Sequence, residues 1–207
     1  MPSAFSSRRS PERSVVLRRC AAAAAVIAGT AWIVKAGLTL ATGNEPPAAF
    51  AVGLALFPFA LLGLWSLVRG DPGRSAPIGG ILAAAAAISV ILATLIRAIG
   101  GADVEASEDE ITALTPFIVL AGFGTFAALF ALGIAVRRTR ALPARYASLP
   151  WAMGWATIPL LILGGALETV SERLLELPVA LLGLGWVILG VALWNASTTS
   201  PPMPHPA

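Results

Sequence analysis

The 207-residue sequence predicts an all-α, polytopic membrane protein: a bundle of six transmembrane helices with both termini in the cytoplasm. Three observations carry that prediction. The chain is 57% hydrophobic and only 12% charged, where soluble domains carry about 25% charged residues. Six apolar runs are each long enough for a helix to cross about 30 Å of hydrocarbon at about 1.5 Å per residue. Arginines gather at alternate ends of those runs, as expected when Arg and Lys in short loops stay on the cytoplasmic side.

The runs lie at about 20–41, 48–68, 77–97, 112–136, 149–167 and 174–194, each close to the roughly 20 residues a span requires. They make one transmembrane domain, 15–196, between a basic tail, 1–14, and a Pro-rich tail, 197–207, whose Ser/Thr/Pro composition predicts disorder. The connections "TGNEPP", "RGDPGRSA", "AIGGADVEASEDEI", "RRTRALPARYAS" and "ETVSER" are too short to fold separately.

The first run begins after Arg18 and Arg19 and is longer than a signal-peptide core. "LRRC" is no lipoprotein signal, because Arg19 directly precedes Cys20 and no apolar segment comes before it. "SSRRSPER" has paired arginines without the rest of a twin-arginine signal, so helix 1 is retained. The second run holds Pro58 in mid-span and the fifth holds Pro159. Each proline removes an intrahelical hydrogen bond and marks a candidate kink. The third run opens "GGILAAAAA", the fourth carries Gly122, Gly124, Ala128 and Gly133, and the sixth carries Gly183, Gly185 and Gly190. Small residues of this kind let helices approach closely in lipid, within one bundle or between copies and partners.

The fourth run is preceded by Glu105, Glu108, Asp109 and Glu110. Calcium loops need spaced oxygens and a turn glycine, whereas Ser107 followed by Glu110 is a capping box whose acids suit the positive end of a helix dipole. Thr169 to Glu172, before the sixth run, is a weaker box.

Eleven of thirteen arginines fall on one side of this threading, in the amino-terminal tail and the second and fourth connections. The other side has Arg97 and Arg173 among nine carboxylates, including Glu45, Glu168, Glu172 and Glu176. Trp65, Tyr146, Trp151 and Trp194 anchor the arginine side, while Trp32 and Trp186 lie deeper, as packing residues. The basic balance therefore reports topology and implies no nucleic-acid partner.

Enzyme chemistry has little to work with. The sole histidine, His205, lies in the tail, which removes Ser–His dyads, HExxH zinc sites and histidine-ligated haem. Cys20 is the only cysteine, and no carboxylate occupies the middle of an apolar run. No cofactor and no metal site is expected. The arginine-for-lysine bias and alanine-rich helices resemble small multi-pass proteins of high-GC bacteria in composition and topology, which implies the bacterial inner (plasma) membrane and carries no functional residues across.

Lys35, the only lysine, stands in "TAWIVKAGLTLA". Sixteen residues beyond Arg19, it lies about 24 Å into about 30 Å of hydrocarbon, near the side away from the arginines. The simpler account is an unpaired ammonium that snorkels to the headgroups. The sharper one is a pair with Glu168 or Glu176, close to Arg97, in a vestibule on that side. Helical side chains lean toward the amino terminus, against outward snorkelling, and Trp32, Lys35, Thr39 and Thr42 share one face.

Two functions follow as expectations. The first is a non-enzymatic accessory or assembly subunit that contacts the bilayer and homo- or hetero-oligomeric partners through its helix faces. The second is a small-solute transporter or channel built around Pro58, Pro159 and a polar vestibule at Lys35. The likeness of "SVILATLIRA" to "WVILGVALWNA" and the prolines in corresponding helices would suit inverted halves, though apolar segments of so few residue types also match by chance.

Overall fold

The computed structural model describes residues 11–100 and 114–198. Of these, 88% are helical, and none forms a strand. Six helices are long and apolar enough to cross a membrane: α1 Pro11–Thr42, α2 Pro47–Val68, α3 Ser75–Gly100, α4 Thr115–Thr139, α5 Leu149–Glu168 and α6 Glu176–Thr198. Short 3-10 turns at Ala144–Tyr146 and Glu172–Leu175 lead into α5 and α6.

Several boundaries differ from the sequence reading. Helix α1 begins at Pro11 and runs for 32 residues, about 48 Å, so residues 11–14 of the expected tail are helical. The capping box at Ser107 and Glu110 lies outside the described residues; α4 runs from Thr115, with Leu114 at its N-cap position. Thr169 does not cap: its hydroxyl donates back to the Ala166 carbonyl at 2.7 Å, and Ser171 occupies the cap position of the following turn. Helix α2 continues past Pro58 and α5 past Pro159 without a break in the helix.

Successive helices pack side by side, α6 returns against α1, and α2 also reaches α4 and so occupies the middle of the bundle. Side chains sort by size. Alanine dominates the buried positions, among them Ala25, Ala28, Ala83, Ala128 and Ala135, whereas Ile81, Ile88, Ile91, Ile158 and Ile162 are exposed. This is the arrangement lipid favours, because helices there gain from close backbone approach and have no hydrophobic drive to bury large side chains. At the centre, Phe57 stacks on Trp186 with centroids 4.2 Å apart and meets Trp32 edge-on at 4.9 Å, as the depth of both tryptophans in the sequence suggests.

The glycines mark the helix crossings. Gly183 lies against Gly29, and a Cβ there would stand 2.8 Å from the Gly29 carbonyl oxygen. One Cβ at Gly190 would stand the same 2.8 Å from the Ala22 oxygen, seven residues further along the same face of α6. Gly154 lies against the Phe130 backbone and Gly80 against the Trp65 indole. Gly37, Gly122 and Gly165 face open space.

A buried ion cluster as candidate functional site

The bundle has two chemically distinct ends. At the arginine-rich end, Arg138 reaches Asp71 of the α2–α3 connection at 3.3 Å, Arg19 lies 5.5 Å from the Trp194 ring and Arg137 lies 4.5 Å from the Trp151 ring. At the opposite, acidic end stands Lys35, two turns before the end of α1.

Lys35 is paired. Its Nζ donates to Glu176 Oε1 at 2.6 Å and lies 2.9 Å from Glu45 Oε1. The Lys35 side chain is 8% exposed and that of Glu176 is 4% exposed, while Glu45 is 53% exposed. Burial decides the weight of each contact. Glu45 sits in a partly hydrated position, where an ion pair contributes about 1 kcal/mol or less. The Lys35–Glu176 pair is removed from solvent, where deleting one partner strands the other charge at a cost of about 3–5 kcal/mol.

Local structure explains the convergence. Helix α1 stops at Gly43, whose φ of +77° is the left-handed conformation glycine adopts without strain. The Gly43 N–H donates to the Thr39 carbonyl at 2.8 Å, and the chain reverses there, which carries Glu45 back beside Lys35. Glu176 opens α6, where a carboxylate meets the positive end of the helix dipole. The Arg173 guanidinium packs on Gly43, a cation at the negative end of α1. Lys35, Glu45 and Glu176 thus form a clasp joining the end of α1 to the start of α6, with the Arg173 guanidinium against the Gly43 corner.

Beneath the ammonium lie aromatic rings. Lys35 Nζ is 5.9 Å from the Phe50 ring centroid, and Phe50 stacks on Trp32 at 6.2 Å. The Trp32 indole lies directly against Gly53, where a Cβ would collide with it. Three buried polar atoms of this region and the core below have no hydrogen-bond partner: Glu176 Oε2, Trp32 Nε1 and Trp186 Nε1. Each is a desolvated group costing about 1–3 kcal/mol.

The expected site is therefore assembled in part. Lys35 and Glu176 meet. Glu168 ends α5 as an exposed residue and is not among the ion-pair partners of Lys35. Arg97 is exposed and lines a separate cavity of about 180 Å³ between α2, α3 and α4, which shares Phe50 with the Lys35 surroundings. Hydropathy and charge placement do not single out Glu45 as a partner; the glycine stop at Gly43 and the two-residue offset to Glu45 are the signal that finds it. Asp71, the one acid in the second and fourth connections, is likewise a partner that counting charges does not pick out.

The polar stripe on α1 does not open into the bundle. Thr39 donates to the Lys35 carbonyl at 3.0 Å and Thr42 to the Leu38 carbonyl at 2.8 Å. Ser89, Thr125 and Thr157 donate in the same way to Ala85, Ala121 and Met153, at 2.9, 2.6 and 2.9 Å. Each hydroxyl is satisfied by its own helix. Pro58 is buried, whereas Pro159 is exposed beside a cavity of about 390 Å³ lined by Phe123, Phe130, Trp155, Ile158 and neighbours. The two prolines thus do not occupy equivalent environments.

No protein-family model, curated protein or solved structure matches the chain.

Proposed function

We propose that the chain is a non-enzymatic protein of the bacterial inner membrane, with its arginine-rich end in the cytoplasm, that acts through contacts at the surface of a rigid bundle as an accessory or assembly subunit. The observation that carries this reading is that the hydroxyls of Ser89, Thr125 and Thr157 bond their own helices and the ammonium of the sole lysine is held by Glu176 and Glu45, although Glu176 Oε2 and the Trp32 and Trp186 indole nitrogens are without partners. A solute crossing the bundle needs groups that exchange their partners for it, and the hydroxyls and the ammonium have partners already. The arginine count supports the orientation through the charge rule for short loops. Most transmembrane glycines are occupied within the bundle, so partner contacts fall to the exposed Ile and Leu faces and to the open backbone at Gly37, Gly122 and Gly165.

The carrier reading has one observation in its favour, the cavity beside Pro159. Its lining is apolar and its walls at Phe123, Trp155 and Ile158 are exposed, which suits a lipid-side groove better than a solute path. Cysteine accessibility separates the two. In a Cys20→Ser background, Ala60→Cys and Thr157→Cys, both buried, are expected to resist a membrane-impermeant maleimide in sealed vesicles of either orientation. Ser148→Cys, exposed at the arginine-rich end, is expected to react from the cytoplasmic side alone. Labelling of Ala60→Cys or Thr157→Cys would establish an aqueous path and overturn the reading.

A further inference from the structure

We infer that the α4–α5 face is a binding site for one anionic glycerophospholipid, its phosphate held at Arg137 and Arg140 and an acyl chain lying in the groove below. Two cavities on this face define the site. The groove, about 390 Å³, is walled by Phe123, Phe126 and Phe130 of α4 and by Gly154, Trp155 and Ile158 of α5. A second cavity, about 420 Å³, opens at the arginine-rich end between Arg137, Arg140, Ala144, Ala147 and Ser148.

A ladder of side chains connects them. Arg137 lies over Trp151 at 4.5 Å, Trp151 meets Trp155 at 6.3 Å, and Trp155 meets Phe130 edge-on at 5.6 Å. Phe123, Phe130 and Arg137 fall at seven-residue intervals on one face of α4. Phe130 and Arg137 are therefore about 10 Å apart along the axis. The interfacial layer of a leaflet is about 5–8 Å deep, so a phosphate at the guanidinium places the first acyl carbons at the head of the groove.

The charges at the mouth suit a phosphate. Arg138 is engaged with Asp71, but Arg137 and Arg140 both border the cavity. A guanidinium stacked on an indole keeps its in-plane N–H groups for oxygen acceptors. Arg140 is the only non-glycine residue with positive φ among those described, at 52°. Glycine or asparagine would stop α4 there with less strain, so the arginine side chain is what that position gains. Ser148, at the N-cap of α5, makes no capping hydrogen bond, which leaves its hydroxyl on the same cavity. Charge at the mouth and apolarity below match an anionic lipid better than a free anion, which has no use for the groove, or a second apolar helix, which has none for the arginines.

The test is lipid retention by the purified full-length protein, read by native mass spectrometry after equilibration with equimolar phosphatidylglycerol and phosphatidylcholine of identical acyl chains. Phosphatidylglycerol is expected to be retained about thirtyfold over phosphatidylcholine, the preference two arginines at a membrane surface supply. R137Q/R140Q should remove the preference, R69Q should keep it, and A127W, which fills the groove, should lower retention of both lipids. Retention of phosphatidylglycerol by R137Q/R140Q at the wild-type level would overturn the site. So would displacement of the lipid by inorganic phosphate, or a dimer that A127W dissociates. A measurement on the unaltered protein guards against variants that fail to fold: brominated phosphatidylglycerol should quench tryptophan emission more than brominated phosphatidylcholine at equal mole fraction, and equal quenching would contradict the site.

Discussion

At the scale of single residues, Lys35 shows what a sequence can and cannot specify. A lone ammonium near the end of a membrane helix is conspicuous, and its depth follows from counting residues. Its partner does not, because pairing depends on where a chain reversal returns and on which helix stands opposite. Glu176 was reachable from the order of the helices. Glu45 needed the left-handed stop at Gly43, a backbone feature that hydropathy does not report. Trp32 was legible as a packing residue, but not its need for Gly53. The Trp32 indole occupies the space a Cβ at Gly53 would take and is boxed by Phe50 and Phe57, so it has no direction in which to yield. Gly53→Ala gains about 1 kcal/mol of helix propensity, yet overpacking of this kind costs about 1–3 kcal/mol. The expected outcome is a net loss of stability with blue-shifted or broadened Trp32 emission, measured by thermal unfolding and by fluorescence of a variant retaining only that tryptophan. A gain in stability would show the indole to be free to move.

At the scale of elements, the six spans were legible because each apolar run had to reach about 30 Å, and charge or turn residues ended it. Helix starts were less so. Pro11 opens α1 well before the apolar run begins, because a helix need not stop where lipid does. Nor did the sequence distinguish glycines facing a neighbouring helix from those facing lipid, since both kinds look alike in an alanine-rich run. The α1–α6 crossing is where the distinction matters most. Gly183 and Gly190 lie against the α1 backbone at Gly29 and Ala22, so a larger side chain there must push apart two backbones rather than one flexible side chain. Gly183→Val is expected to lower the unfolding free energy by about 1–3 kcal/mol or more, while Gly165→Val, in open space, is expected to change it little. Equal effects at the two positions in the same detergent would place the crossing elsewhere.

At the scale of the whole molecule, the order of crossings was legible, whereas the neighbour relations were not. Six runs and alternating arginines imply an up-and-down bundle, but not that α2 lies in the middle or that α6 closes on α1. That closure is made by small residues along the crossing and by one ion pair between residues 141 positions apart in sequence. Lys35 ties the end of α1 to the start of α6 through its buried pair with Glu176. The most direct test is a double-mutant cycle in lipid bilayers, comparing the unfolding free energies of Lys35→Met, Glu176→Leu and the double variant. Lys35→Met leaves the buried Glu176 unpaired and is expected to lose about 3–5 kcal/mol; Glu176→Leu leaves Lys35 with the half-exposed Glu45 alone and is expected to lose less, while the double variant, with neither buried charge, recovers most of the larger loss. A Lys35→Met protein as stable as the parent, or losses that simply add in the double variant, would contradict the clasp.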